Sequence, residues 1–248
     1  MPARQEEPAF QLVCFPHAGG DATAFTPTAH ALAPHTEVWA LRMPARGGRR
    51  SEPMPATFDL LVAAVIEAVR PHLRAPFGFY GQSFGALLAY EVARALPSGR
   101  RPELVVTASG QPPGAWAGEA VPERSPAELL RLAGPDDVVH NDPELHSLAL
   151  AALRRDLAVR RTYRHRPAPP IDADLHAVVG DADPMLDAGQ LAGWAEHTAG
   201  AFSLSVVPGG HLLATADRHA PVDLLTSIIR RRAELHTQEG PCSPPRPT

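Results

Sequence analysis

Ser83 stands at the centre of Gly81-Gln82-Ser83-Phe84-Gly85, a G-x-S-x-G pattern that is typical of a nucleophilic serine. The pattern directly follows the apolar run 77–80 and directly precedes segment 86–96, whose composition favours a helix. Between a strand and a helix, the two glycines permit a sharp turn that lifts the serine side chain out over the sheet. The alternative is a glycine-rich turn in which Ser83 only caps the helix. The strand-turn-helix context favours the nucleophile.

A nucleophilic serine needs a base and an orienting acid, which follow it along the chain in sites of this kind. His211 comes after a predicted strand through Pro-Gly-Gly, a loop that can bring the imidazole back toward Ser83. Asp181 and Asp183 both come after the predicted strand 175–179. We predict Asp183 as the acid, because Asp181 lies closer to the strand end and a proline fixes the loop directly after Asp183. Asp181 stays open as the alternative.

The negative charge that develops on a carbonyl oxygen during such chemistry needs two backbone N–H donors. We predict the first donor to be Phe84, which follows the nucleophile and begins a helix. The second is expected from the loop His17-Ala18-Gly19-Gly20 after the first strand, with the N–H of Ala18 as our choice. His17 precedes Ser83, against the usual chain order, and is interpreted as a residue that shapes this loop.

The composition excludes several other kinds of chemistry. The 248 residues contain no lysine, which excludes Schiff-base catalysis, pyridoxal phosphate attachment, a Ser-Lys dyad and a Walker A loop. The two cysteines, Cys14 and Cys242, lie far apart, and the histidines show no metal-ligand spacing. We therefore expect no disulfide framework, no metal and no organic cofactor.

Charge and hydropathy limit the partners and the location. The formal net charge of −4 and a pI near 6.3 argue against a nucleic-acid-binding protein. The first ten residues lack the apolar core of a signal peptide, and no stretch reaches the 18 apolar residues of a membrane helix. We expect a cytoplasmic protein without membrane contact, and a monomer.

Short apolar runs alternate with segments of helical period, which predicts an α/β fold with a mostly parallel sheet flanked by helices. We predict one domain over residues 1–237 and a disordered, proline-rich tail over 238–248. Segment 111–166 breaks the alternation with two helical stretches, 125–133 and 142–163. Because insertions between parallel strands lie near the carboxyl edge of a sheet, where ligands bind, this segment is interpreted as a helical lid.

A set of short motifs resembles the stand-alone type II thioesterases of polyketide and nonribosomal peptide assembly lines. The motifs are the segment 15–20, Pro44-x-Arg46, the turn around Ser83 followed by 86–91, and Pro-Gly-Gly-His211. The resemblance spans roughly residues 12–214. It implies an α/β-hydrolase fold with a helical lid, and hydrolysis of acyl groups from the phosphopantetheine thiol of acyl or peptidyl carrier proteins.

The sequence also departs from the pattern of that family. Gln82 stands where the family usually has histidine, and we expect this side chain to support the turn. The family's Pro-Gly-Arg-Glu segment reads Pro44-Ala45-Arg46-Gly47 here, and the missing acid leaves the role of this loop open.

Two questions of substrate and partner stay open at the sequence level. The lid carries an excess of arginine, and Arg160 and Arg161 are candidates for docking an acidic carrier or its phosphate, against the alternative of a solvated helix face.

A general carboxylesterase or lactonase, or an acyltransferase or cyclase, would share every catalytic residue. A non-catalytic carrier-binding protein is a further alternative, which an incomplete set of catalytic residues would indicate.

Overall fold

The computed structural model of the chain describes residues 8–74, 76–97, 99–116, 125, 128, 142–213 and 219–239. Within these residues, six strands form a single sheet with the order β2-β1-β3-β4-β5-β6. Every neighbouring pair in this sheet is parallel. The strands are β1 Phe10–Phe15, β2 Thr36–Ala40, β3 Phe77–Gln82, β4 Leu104–Ala108, β5 Asp174–Gly180 and β6 Phe202–Val207. The predicted α/β architecture is confirmed.

The strand order places a topological switch between β1 and β3. The chain passes from β1 outward to β2, and then returns to the other side of β1 to form β3 and the strands beyond it. Loops at the carboxyl ends of two such strands diverge to opposite faces, and the crevice between them is the usual ligand site of an open parallel sheet. The loop that follows β1 and Ser83, which follows β3, both lie at this crevice.

Successive residues of each strand point to opposite faces of the sheet. Both faces therefore carry apolar side chains, and helices pack on both. Val13 and Phe15 of β1 pack in the core cluster that includes Leu61 and Leu87. Leu12 and Cys14 pack on the other side. The helices are α1 Thr26–Leu32, α2 Phe58–Val69, α3 Phe84–Ala95, α4 Pro143–Arg161, α5 Ala188–Leu191 and α6 His219–Glu239. Five short 3-10 segments are also described: Ala22–Phe25, Gly47–Arg49, Arg70–His72, Pro113–Trp116 and Ala192–His197.

Helix α4 is the second of the two helical stretches predicted between β4 and β5. Its N-cap is Asp142, whose carboxylate accepts hydrogen bonds from the N–H groups of Glu144, at 2.8 Å, and Leu145, at 3.1 Å. The first predicted stretch, 125–133, lies almost entirely outside the described residues. Helix α6 continues through residues 238 and 239, which the sequence assigned to a disordered tail, and residues 240–248 lie outside the described residues.

None of the helices in the described ranges combines the length and the apolar character that a membrane span requires.

The turn from β3 into α3 depends on close backbone contacts at its two glycines. A Cβ atom added to Gly85 would lie 2.2 Å from the carbonyl oxygen of Phe15 and 2.6 Å from that of Pro16. A Cβ atom added to Gly81 would lie 2.3 Å from the carbonyl oxygen of Gly85. Because backbone atoms cannot move aside as a flexible side chain does, only glycine fits at either position. The first turn of α3 therefore lies directly against the end of β1.

Replacing Gly85 by alanine should destabilise the protein by more than about 2 kcal/mol, because the new methyl group would overlap the carbonyl groups at the end of β1. Urea unfolding followed by circular dichroism measures this change. Gly48→Ala is the matched control, since a Cβ atom at Gly48 meets no atom within 4 Å. Equal stability of the two variants would contradict the close approach at Gly85.

Candidate active site

Ser83 occupies the turn between β3 and α3 in a backbone conformation that residues other than glycine rarely adopt. Its φ is +53° and its ψ is −116°. The conformation is held by its own N–H, which donates to the carbonyl of Ala108 on β4 at 2.7 Å, and by its carbonyl, which accepts from the N–H of Ala86 at 2.9 Å. Strain of this kind persists where the surrounding structure fixes it, and here it presents the hydroxyl at the carboxyl edge of the sheet.

The structure brings together the three side chains that the sequence predicts as nucleophile, base and acid. The Oγ of Ser83 lies 2.9 Å from Nε2 of His211. The other ring nitrogen of His211, Nδ1, lies 2.9 Å from Oδ2 and 3.1 Å from Oδ1 of Asp183. His211 is only 6% exposed, so these contacts lie largely out of water. The arrangement can move a proton from the hydroxyl to the imidazole while a carboxylate fixes the orientation of the ring.

The two aspartates after β5 have different contacts. Asp183 contacts His211, and its Oδ1 also accepts from the N–H of Met185 at 2.9 Å. Burial opposes ionisation of Asp183, but its hydrogen bond to His211, the charge of that residue and the N–H of Met185 outweigh burial and lower its pKa. Asp181 instead accepts from the N–H of Gly209 at 2.9 Å and ties together the loops after β5 and β6.

Gln82, the departure from the family pattern, connects the nucleophile's strand to the loop that carries the base. Its side-chain amide donates to the carbonyl of His211 at 2.7 Å, and its side-chain oxygen accepts from the N–H of Leu213 at 3.2 Å. The hydroxyl of Tyr80 donates to the same oxygen at 3.2 Å. Gln82 is fully buried. The sequence suggested support for the turn, whereas the structure shows that this side chain holds the loop of His211.

The loop after β1 lies next to the first turn of α3. Since Gly85 touches the carbonyl groups of Phe15 and Pro16, the predicted N–H donors of Ala18 and Phe84 come from neighbouring pieces of backbone. The imidazole of His17 packs against Gly20, where an added Cβ would lie 2.7 Å from the ring. Burial, with the nearby charges of His211 and Arg46, lowers the pKa of His17 to about 4, so this ring is neutral at pH 7.

The two arginines that are candidates for docking a carrier protein lie at the end of α4 and differ in their surroundings. The guanidinium of Arg160 stacks over the ring of Trp116, 5.3 Å from its centroid, and this residue is half-buried. Arg161 is exposed. Arg161 is therefore the more exposed of the two.

Across the described part of the chain, no group of three or more His, Cys, Asp or Glu side chains is arranged to hold a metal ion.

Comparison with known proteins assigns the chain to a family. Residues 10–232 match the family model described as Thioesterase domain. This match covers most of the chain, so the chain belongs to the thioesterase family and is a hydrolase that acts on thioesters.

Individual relatives show which kind of thioesterase the chain resembles. Thioesterase PikA5 of Streptomyces venezuelae is 35% identical over 218 residues, which cover 85% of this chain and 78% of that protein. The thioesterase RedJ from the prodiginine biosynthetic pathway of Streptomyces coelicolor superposes with a TM-score of 0.80 at 30% identity, covering 91% of each chain. The type II thioesterase BorB from the borrelidin biosynthetic cluster gives a TM-score of 0.76 at 34% identity, covering 93% of this chain and 96% of that one. The resemblance to type II thioesterases is thus confirmed.

Replacing Gln82 by leucine should destabilise the protein by roughly 1–3 kcal/mol and lower thioester hydrolysis, because the buried carbonyl of His211 and N–H of Leu213 lose their partner. Gln82→Glu is the sharper variant: it keeps the shape and the acceptor for Leu213 but cannot donate to His211. Thermal unfolding and kcat measure the two effects. Full kcat in both variants would contradict a role in holding the base.

Proposed function

We propose that the chain hydrolyses acyl groups from the phosphopantetheine thiol of acyl or peptidyl carrier proteins in polyketide or nonribosomal peptide biosynthesis. The observation that carries the proposal is the chain of contacts from Ser83 through His211 to Asp183, in a member of the thioesterase family whose relatives belong to such pathways. A role in clearing carriers that hold the wrong acyl group would match the type II thioesterases that the chain resembles. A cytoplasmic location and a monomeric state stay predictions.

In the first half of the proposed reaction, Ser83 becomes acylated. Its Oγ attacks the thioester carbonyl carbon while its proton passes to Nε2 of His211, which lies 2.9 Å away. The N–H groups of Phe84 and Ala18 receive the negative charge on the carbonyl oxygen. The carbon–sulfur bond then breaks, and the proton on His211 passes to the departing pantetheine thiolate.

In the second half, water releases the acyl group. A water molecule attacks the acyl-serine carbonyl and gives its proton to His211, which returns it to Oγ of Ser83 as the carboxylic acid leaves. Asp183 stabilises the imidazolium that forms in both halves, and its lowered pKa keeps it charged at neutral pH. These steps use only side chains and backbone groups of the chain.

Esterase and acyltransfer activities remain alternatives, since they would use the same residues. They are separated by relative rates: acyl groups on one carrier protein are compared with small oxygen esters, and mass spectrometry follows the released acid and the acyl-enzyme. We expect the carrier-bound thioester to be preferred and the product to be the free acid. Transfer of the acyl group to an added alcohol or amine in place of water would favour the acyltransferase.

Helix α4 supplies the proposed docking contact for the carrier. Arg161 is exposed at the end of this helix, near the exposed Arg154 and Arg155, in a protein whose overall net charge is negative. Carrier proteins are generally acidic and the pantetheine arm ends in a phosphate, so this cluster would attract them electrostatically. The same helix belongs to the segment interpreted as a lid, which would place docking beside the entrance for the acyl chain.

Replacing Ser83 by alanine should reduce thioester hydrolysis by up to about 10⁶-fold and abolish the acyl-enzyme, because the nucleophile and base act as a unit. Ser205→Ala is a matched control: the Oγ of Ser205 also lies within hydrogen-bond distance of a histidine, 3.0 Å from Nε2 of His176. Hydrolysis is measured by thiol release. Near-normal turnover by Ser83→Ala would remove the nucleophile assignment.

Charge reversal at Arg161 should raise the KM for an acyl-carrier substrate by roughly three- to tenfold and leave a small thioester unaffected, because the exposed charge acts mainly on encounter. The effect should shrink as salt is added. Arg230→Glu is the control, an equal charge change at an exposed position of α6, where the helix packs on the other face of the sheet. Equal effects of the two variants, or none, would place the docking surface elsewhere.

A further inference from the structure

Asp156 on α4 carries a buried carboxylate that the proposed reaction does not use directly. Its side chain is completely buried. One of its oxygens, Oδ2, accepts a hydrogen bond from the backbone N–H of Gly19 at 2.7 Å. The same oxygen forms a close ion pair with the guanidinium of Arg46, whose side chain is 6% exposed. The partners are 137 and 110 residues away along the chain, so this one atom joins three separate segments.

The contact with Gly19 lies within the loop predicted to supply a donor for the oxyanion. Gly19 has a φ of +82°, which favours glycine. A Cβ atom there would lie only 3.2 Å from Cβ of Leu153, which stands three residues before Asp156 on the same face of α4. An apolar contact and a hydrogen bond from one helix thus fix the peptide between Ala18 and Gly19. This peptide directly follows the one that carries the N–H of Ala18.

The positive charge of Arg46 balances the negative charge of the buried Asp156 carboxylate. A bare negative charge beside the oxyanion hole would oppose the negative charge that develops on the substrate oxygen. The guanidinium of Arg46 cancels that charge, while the hydrogen bond to Gly19 is retained. Arg46 of the segment Pro44-Ala45-Arg46-Gly47 thus has an acidic partner on α4.

We infer that Asp156 is a positioning residue for the oxyanion hole: from α4 it fixes the loop 17–20 so that the N–H of Ala18 points at the substrate oxygen, with Arg46 as its counter-ion. This inference rests on the proposed function of the Ser83 site. It also gives α4 a second role besides covering the site, because displacement of α4 would release the donor loop.

The test compares Asp156→Leu, which removes the acceptor for the N–H of Gly19, with the wild type on a small N-acetylcysteamine thioester, which needs no carrier protein. Loss of an oxyanion donor costs about 10²–10³ in kcat, and a misplaced donor should cost less, about 10- to 100-fold, with KM changed less than about threefold. Binding of a trifluoromethyl ketone, which forms a tetrahedral oxyanion on Ser83, should weaken by a similar factor. Glu144→Leu, a matching loss of a carboxylate at an exposed position of the same helix, should alter neither value.

A double variant separates positioning from folding. Removing one partner of a buried ion pair is destabilising, whereas replacing both by apolar residues is often neutral or stabilising. In Arg46→Met with Asp156→Leu, the melting temperature should therefore approach the wild-type value, while kcat and ketone affinity stay low because Gly19 lacks its acceptor. Recovery of kcat together with stability would overturn the inference, as would wild-type kcat and ketone affinity in Asp156→Leu. Lack of thioester turnover by the wild type would contradict the proposed function, and the ketone measurement would still decide the role of Asp156.

Discussion

The contact between the first turn of α3 and the end of β1 is the constraint on which the rest of the site depends. Gly85 allows two carbonyl groups of the neighbouring segment to approach to a distance that any side chain would prevent. That approach sets Ser83 at the head of α3 and brings the loop 17–20 beside it. The base and the acid are then positioned by the ends of β5 and β6, which lie further along the same edge. Since all these strands are parallel, their carboxyl ends meet at one edge.

The two carboxylates described at the site each lie against a basic side chain. Asp183 is ionised and faces the imidazole that gains a proton during the reaction. Asp156 forms a buried ion pair with Arg46, and burial raises the pKa of Asp156 in spite of this partner. His17 lies close enough to both His211 and Arg46 to feel their charges, and with burial this lowers its pKa to about 4. The ring of His17, in the loop that carries the proposed oxyanion donor, is thus neutral at pH 7.

The sequence predicts much of this structure because the relevant signals are local. Apolar runs that alternate with segments of helical period predict the α/β fold with its parallel sheet, and the glycines flanking Ser83 predict the turn. The choice of Asp183 over Asp181 follows from loop length, and the structure places Asp183 against His211. The contacts of Asp156 escape prediction, because a carboxylate among many arginines on a helix is ordinarily a solvated residue. Its burial depends on where α4 packs, and on a loop 137 residues away.

The long separations along the chain have a consequence for how activity is acquired. Ser83 and His211 are 128 residues apart, and each joins the sheet through a different strand. Parallel strands pair only after the intervening crossover has closed, and folds rich in such distant contacts form slowly. The catalytic geometry therefore does not exist in any fragment that lacks β6 and the loop after it. A nascent chain therefore cannot use Ser83 as a nucleophile until the segment through His211 has been made and β6 has joined the sheet.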